Sequence, residues 1–166
     1  MATDTGAARA RYLDASALVM LHVDEGDCSH LRAFCNGATN LQTVQICLVE
    51  ALGALKRKWR HNQITLDDYY RETHSLIARG RYQIYPTEPE LTDLSVQPAV
   101  EALARKHGLD LADALQLFTL QHGPFSHLCG DSTSVLISGD RGLVKAATAE
   151  GIRVWYCREG PAPDWV

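Results

Sequence analysis

The sequence predicts an α/β fold: one domain with a central parallel sheet of about five strands and helices on both faces. Three observations predict it. Short strand-like segments alternate with longer segments of helical periodicity along the whole chain. The strand-like segments are apolar in succession, as strands buried on both faces are. The 166 residues, 46% apolar and 22% charged, fit one domain with a proper core. No internal repeat or second domain is visible.

Arg11-Tyr12-Leu13 reads as a buried strand that stops at Asp14, and Ser16 to His22 as a helix broken at Gly26 and Asp27. A short helix follows from Ser29 to Phe34, ending near Asn36-Gly37, then a four-residue strand from Leu41 to Val44. Ile46, Val49, Leu52, Leu55 and Trp59 recur at three- and four-residue steps and predict one apolar helix face, with Glu50 beside it. Thr65 caps the next helix, and Asp67 and Asp68 suit its first turn. That helix is expected to end near Arg79, at Gly80. Tyr82 to Tyr85 reads as a strand closed by Pro86. Pro98 fits the first turn of a helix reaching Lys106, with Gly108 as its stop. Asp110 is a good N-cap for a helix carrying Asp113, with Leu111, Leu115 and Phe118 along one side. Val135-Leu136-Ile137 and Arg153 to Tyr156 are the last strands, around a helix from Leu143 to Ala149. Residues 1–10 and 160–166 are expected to be loose tails, the second carrying two prolines.

Composition excludes several classes. No apolar run can span a bilayer, and the first residues lack the layout of a signal peptide. A cytoplasmic protein without a membrane partner is expected. The five cysteines include no Cys-x-x-Cys pair and read as reduced thiols. A zinc site from Cys28, His30, His127 and Cys129 is conceivable by residue type but matches no standard spacing. No nucleotide-binding glycine motif and no Ser-His-Asp layout is present. The net charge of −4 argues against nonspecific polyanion binding. Lys56, Arg57, Lys58 and Arg60 nevertheless cluster beyond Glu50. They form either a solvated helix end or a phosphate-contacting patch.

Four acids carry the chemistry. Asp14, Glu50, Asp113 and Asp140 each sit within or just after an apolar run. A carboxylate among apolar neighbours is costly unless it is paired or binds metal. Four of them point to one shared, hard, oxygen-seeking cation, Mg²⁺ or Mn²⁺. Asp14 and Asp140 follow strands, where ligands collect in parallel sheets. Each alone is better explained as a helix cap, and Glu50 as an exposed helix residue, but Asp113 is a poor mid-helix residue beside a ready cap. Ser16 and Ser138, two residues from proposed ligands, are placed to bond the carboxylates. Asp110 is a cap and a possible further ligand.

The four segments, Leu13-Asp14-Ala15-Ser16, Leu48-Val49-Glu50-Ala51-Leu52, Asp113-Ala114-Leu115 and Ser138-Gly139-Asp140-Arg141, follow the order of the PIN-domain ribonucleases. The chain most resembles the VapC-type toxins of bacterial toxin–antitoxin pairs, over about residues 11 to 157. It departs from that pattern in the long stretch from His122 to Thr133 and in its acidic charge. The resemblance implies a PIN-like domain and a Mg²⁺- or Mn²⁺-dependent endoribonuclease whose Asp14, Glu50, Asp113 and Asp140 are both catalytic and metal-binding. Such a cation activates water against phosphorus and stabilises the developing charge. Cleavage would leave a 5′-phosphate and a 3′-hydroxyl. An RNA substrate, a homodimer and a small antitoxin protein are also implied, with the antitoxin on the first two helices and the basic helix end near Lys56. Two other expectations stand beside this one: an RNA-processing nuclease outside toxin–antitoxin biology, and a catalytically inactive PIN-like binding scaffold.

Overall fold

The computed structural model describes residues 9–26, 28–87 and 93–166. In chain order it contains β1 (Arg11–Leu13), α1 (Ala15–His22), α2 (Ser29–Gly37), β2 (Leu41–Val44), α3 (Gln45–Arg60) and α4 (Leu66–Tyr82). These are followed by β3 (Ile84–Thr87), α5 (Val96–His107), α6 (Leu111–His122), β4 (Val135–Ser138), α7 (Arg141–Ala149) and β5 (Arg153–Tyr156). The five strands form one all-parallel sheet in the order β3-β2-β1-β4-β5. The order reverses at β1, so β1 and β4 are central neighbours and their C-terminal ends meet at the switch point. Seven helices flank the sheet among the described residues. This is the α/β architecture expected of a PIN-like domain.

Strand alternation divides the core between the two faces. Leu13, Val135 and Ile137 pack with residues of α1 to α4, among them Leu18, Leu31, Leu55 and Leu76. Tyr12 and Leu136 face the other way, against Leu117 and Leu120 of α6 and Leu143 and Ala146 of α7. Among the described residues, no helix is long and apolar enough to cross a membrane.

Four expectations change. The buried stripe of α3 is Cys47, Ala51 and Leu55, whereas Val49 is 59% exposed. Cys47, Ala51 and Leu55 recur at four-residue steps and turn that face to the core, which carries Val49 outward. Glu50, Ala54 and Arg57 then share the adjoining flank. The next helix, α4, does not stop at Gly80 but runs to Tyr82. Gly80 is helical, with no left-handed turn to end α4, and a Cβ there would meet Leu48 Cδ2 of α3 at 3.4 Å, an ordinary contact. The following strand is therefore displaced to residues 84–87 and contains Pro86, which an edge strand tolerates. Leu111 is 56% exposed and lines no core; α6 instead buries Ala112, Ala114, Leu115, Gln116, Leu117, Thr119 and Leu120.

The C-terminal tail is also anchored. Val166 is buried, and its carbonyl oxygen accepts from Arg11 Nε and Nη2 at 3.2 and 3.1 Å. Gly160 O accepts from Trp155 Nε1. The break expected at Asp27 and the tail segment 1–8 lie outside the described residues. The long stretch 122–133 packs at the end of the sheet remote from Asp14. There Phe125 meets Tyr12 edge to face, and Ser134 Oγ donates to Phe125 O.

Candidate active site

The acids gather where the central strands end. Asp14 follows β1 directly, and Asp140 lies two residues beyond β4. Glu50 projects from the second turn of α3, and Asp113 from the first turn of α6. All four line one cavity of about 340 Å³, together with Asp110, Ser16, Glu25 and Arg57. Segments more than a hundred residues apart in sequence thus supply one acidic pocket.

Capping and pocket formation are not alternatives here; the same residues do both. Asp14 Oδ1 accepts from the Ala17 N–H at 2.7 Å, starting α1. Asp110 Oδ1 accepts from the Asp113 N–H at 2.9 Å, starting α6. Asp140 Oδ1 accepts from the Leu143 N–H at 2.9 Å, starting α7. Three positive helix ends therefore face the carboxylates and offset part of their repulsion. Arg141 does not neutralise Asp140; it reaches Tyr156 Oη and Glu159.

The two serines hold the floor. Ser138, fully buried, donates to Asp14 Oδ2 at 2.7 Å and accepts from the Asp140 N–H at 2.9 Å. Ser16 Oγ lies 2.8 Å from both oxygens of Asp14 and accepts from the Gly139 N–H. Between them the hydroxyls lock Asp14 and tie it to the β4–α7 connection. By contrast, the carboxylates of Glu50 and Asp113 take no hydrogen bond from any described residue, although both are half-buried.

The electrostatics follow. Burial raises Asp14 to about 6, against the opposing hydrogen bonds from Ala17, Ser138 and Ser16. Asp113 rises to about 7, first through burial and then through the charges of Asp110, Asp14, Asp140 and Glu50. Glu50 is raised by burial and by Asp110 and Asp14, while Arg57 works the other way. Behind them, burial and the same charges hold the Cys47 thiol well above its ordinary range. The carboxylates thus repel one another in a partly buried pocket and form no stabilising ion-pair network among themselves.

The donor set is entirely carboxylate oxygen, which suits Mg²⁺ or Mn²⁺ and not the softer metals. As they stand, no three of the described His, Cys, Asp and Glu side chains form a ready metal cage. Glu50 and Asp113 have no chain hydrogen bonds to break, so their rotation toward Asp14 and Asp140 is the least costly way to close on an ion. Cys28 is buried at the start of α2 and Cys129 is exposed within the 122–133 stretch, and among the described residues the alternative zinc set is not gathered.

The basic cluster divides. Arg57 lines the pocket, while Lys56 and Arg60 are exposed elsewhere on α3. Lys58 forms an ion pair with Glu25. Sequence reasoning passed over Glu25 and its second partner, Arg158. Their signal was positional: Arg158 lies just past the C-terminal end of β5, and Glu25 in the turn after α1.

No protein-family model matches the chain, and no curated protein matches it. Among solved structures it is similar to PAE2754 from Pyrobaculum aerophilum, known from a crystal structure, with a TM-score of 0.61 and 20% identity. The match covers 89% of this chain and 84% of the other. At that identity the likeness extends to the fold.

Proposed function

We propose that the protein is a Mg²⁺- or Mn²⁺-dependent endoribonuclease that hydrolyses RNA phosphodiesters and serves as the toxin of a toxin–antitoxin pair. The observation that carries the enzymatic reading is the convergence of Asp14, Glu50, Asp113 and Asp140 on one cavity at the switch point of the sheet. When bound, a divalent ion would supply an acidified water and charge stabilisation at phosphorus. Asp14 and Asp140 would hold it from fixed positions, with Ser16 and Ser138 orienting Asp14. Asp113 and Glu50 would close around it. Asp113, titrating near neutrality, is suited to take a proton from water at its Oδ atoms. Arg57 would meet a phosphate at the pocket edge.

The toxin role, the 5′-phosphate product, the homodimer and the antitoxin rest on the order of the four motifs. Exposed Leu66, Tyr70 and Ile77 on α4 support a protein partner. The decisive experiment incubates single-stranded RNA with the protein in Mn²⁺, in Mg²⁺ and in EDTA, beside Asp113→Asn. Cleavage should require the metal and vanish in the variant. Cleavage that persists in EDTA would sink the mechanism. RNA binding without any cleavage in Mn²⁺ would favour the inactive scaffold.

A further inference from the structure

A cation pair at the pocket wall is already occupied by an internal anion. Glu25, in the turn between α1 and α2, contributes to the cavity beside Asp14 and Asp140. Its Oε2 accepts from Arg158 Nη2 at 2.8 Å, and its Oε1 is paired with Lys58 Nζ. Arg158 is fixed by two further bonds, from Nη1 to Glu25 O at 3.1 Å and from Nε to Gly139 O at 2.9 Å. The guanidinium thus stands one residue from Asp140. Burial pushes the Glu25 carboxyl up, but the bonds from Lys58 and Arg158 more than offset it, leaving it below the ordinary glutamate range.

The clamp has the form of a phosphate site. Two cations approach from different elements, one on each carboxylate oxygen, and a phosphodiester offers the same pair of anionic acceptors with the same single charge. The side chains of Lys58, Glu25 and Arg158 are 18%, 21% and 33% exposed, so solvent reaches the clamp. The rest of the pocket is a poor host for a polyanion, because Asp14, Glu50, Asp110, Asp113 and Asp140 face Arg57 alone among the described lining cations. A nucleic-acid strand entering it needs the charge that Glu25 now neutralises.

We propose that Lys58 and Arg158 form a phosphodiester subsite flanking the acidic pocket, and that Glu25 is its built-in competitor, displaced when a strand binds. The proposal rests on the ribonuclease reading. Glu25→Gln keeps the hydrogen-bond acceptor but removes the competing charge.

The test measures binding of a labelled single-stranded RNA of about twelve nucleotides in EDTA, by fluorescence anisotropy over a salt series. Glu25→Gln should tighten binding roughly fivefold, the order of one part-exposed ion pair. The salt slope should steepen by about 0.7 for each freed phosphate contact. Glu101→Gln, which removes the same charge from α5 away from the pocket, should change affinity less than about twofold. Adding Arg158→Met to Glu25→Gln should cancel the gain, and Lys58→Met alone should weaken binding and flatten the slope. Unchanged or weaker binding in Glu25→Gln overturns the proposal. If that variant fails to fold, an unchanged salt slope in Lys58→Met overturns it instead. A tightened Glu25→Gln with a wild type that never cleaves RNA in Mn²⁺ leaves the subsite standing and removes the nuclease. Cleavage with no effect of Glu25→Gln removes the subsite alone.

Discussion

Asp113→Asn should make the metal-free protein more stable, and the gain should depend on pH in a defined sense. The folded protein holds Asp113 at about 7, above the ordinary aspartate value of 3.8. A raised folded value means that the native state binds the proton more tightly than the unfolded chain. Asp113 is thus harmless below about pH 4, and stability drains away as the pH rises toward 7. At about 1.4 kcal/mol per pH unit the rise gives an upper bound of about 4 kcal/mol. The side chain is half-buried and coupled to four other acids, so solvent screening and shared titration reduce this to about 1–2 kcal/mol. The carboxylate accepts no hydrogen bond from any described residue, and asparagine leaves the backbone bond to Asp110 untouched, so little is lost in exchange. Thermal melts in EDTA should show the variant higher by several degrees at pH 8 and level with wild type near pH 4. Mn²⁺ at a hundredfold excess over its dissociation constant should raise wild-type stability by about 2.7 kcal/mol and the variant by less. A variant equal to or weaker than wild type at pH 8 in EDTA would refute the assignment of Asp113 as an unpaired, crowded acid.

Three further outcomes are expected. Ser138→Ala removes the donor to Asp14 Oδ2 and the acceptor of the Asp140 N–H, so it should cost about 1–3 kcal/mol in urea melts and move the acid limb of the activity profile upward. A wild-type profile in that variant would mean that Ser138 does not set the ionisation of Asp14. Gly139→Ala should destabilise the protein and lower activity together, because the added Cβ would lie 2.8 Å from Met20 Sδ and 3.1 Å from Ser16 Oγ; an unaffected melt would show that the β4–α7 connection yields freely. Arg57→Gln should flatten the salt dependence of RNA binding by about 0.7, whereas Lys56→Gln with Arg60→Gln should change it less; equal effects would return the whole cluster to a solvated helix end.

The strands and acids were legible because their signals are local. An apolar triplet ending at Asp14, or an apolar strand ending at Ser138 before Asp140, announces both a strand and what stands at its mouth. Asp110 was legible as a cap for the same reason. The rotation of α3 was not, because Cys47 and Ala51 are weakly apolar and Val49 strongly so. Gly80 misled because a glycine that ends a helix and one carried in helical conformation inside its last turn look alike in one dimension. Glu25 and Arg158 are 133 positions apart, and although each stands just past a secondary-structure element, nothing local marks their pairing. Likewise Val166 is fixed by Arg11 at the far end of the chain, beyond the reach of tail composition.

Because Asp14, Asp110 and Asp140 each begin a helix and also line the cavity, whatever binds there bargains with the helices for electron pairs. Drawing an oxygen off its amide would loosen one turn of α1, α6 or α7 at its root. Occupancy of the pocket should therefore be readable far from any activity assay, in the hydrogen exchange of three backbone amides, Ala17, Asp113 and Leu143. An ion that shares the capping oxygens leaves those amides protected; one that takes them exposes them. The first turns of three helices are, in effect, reporters that the fold installed at its own acidic floor.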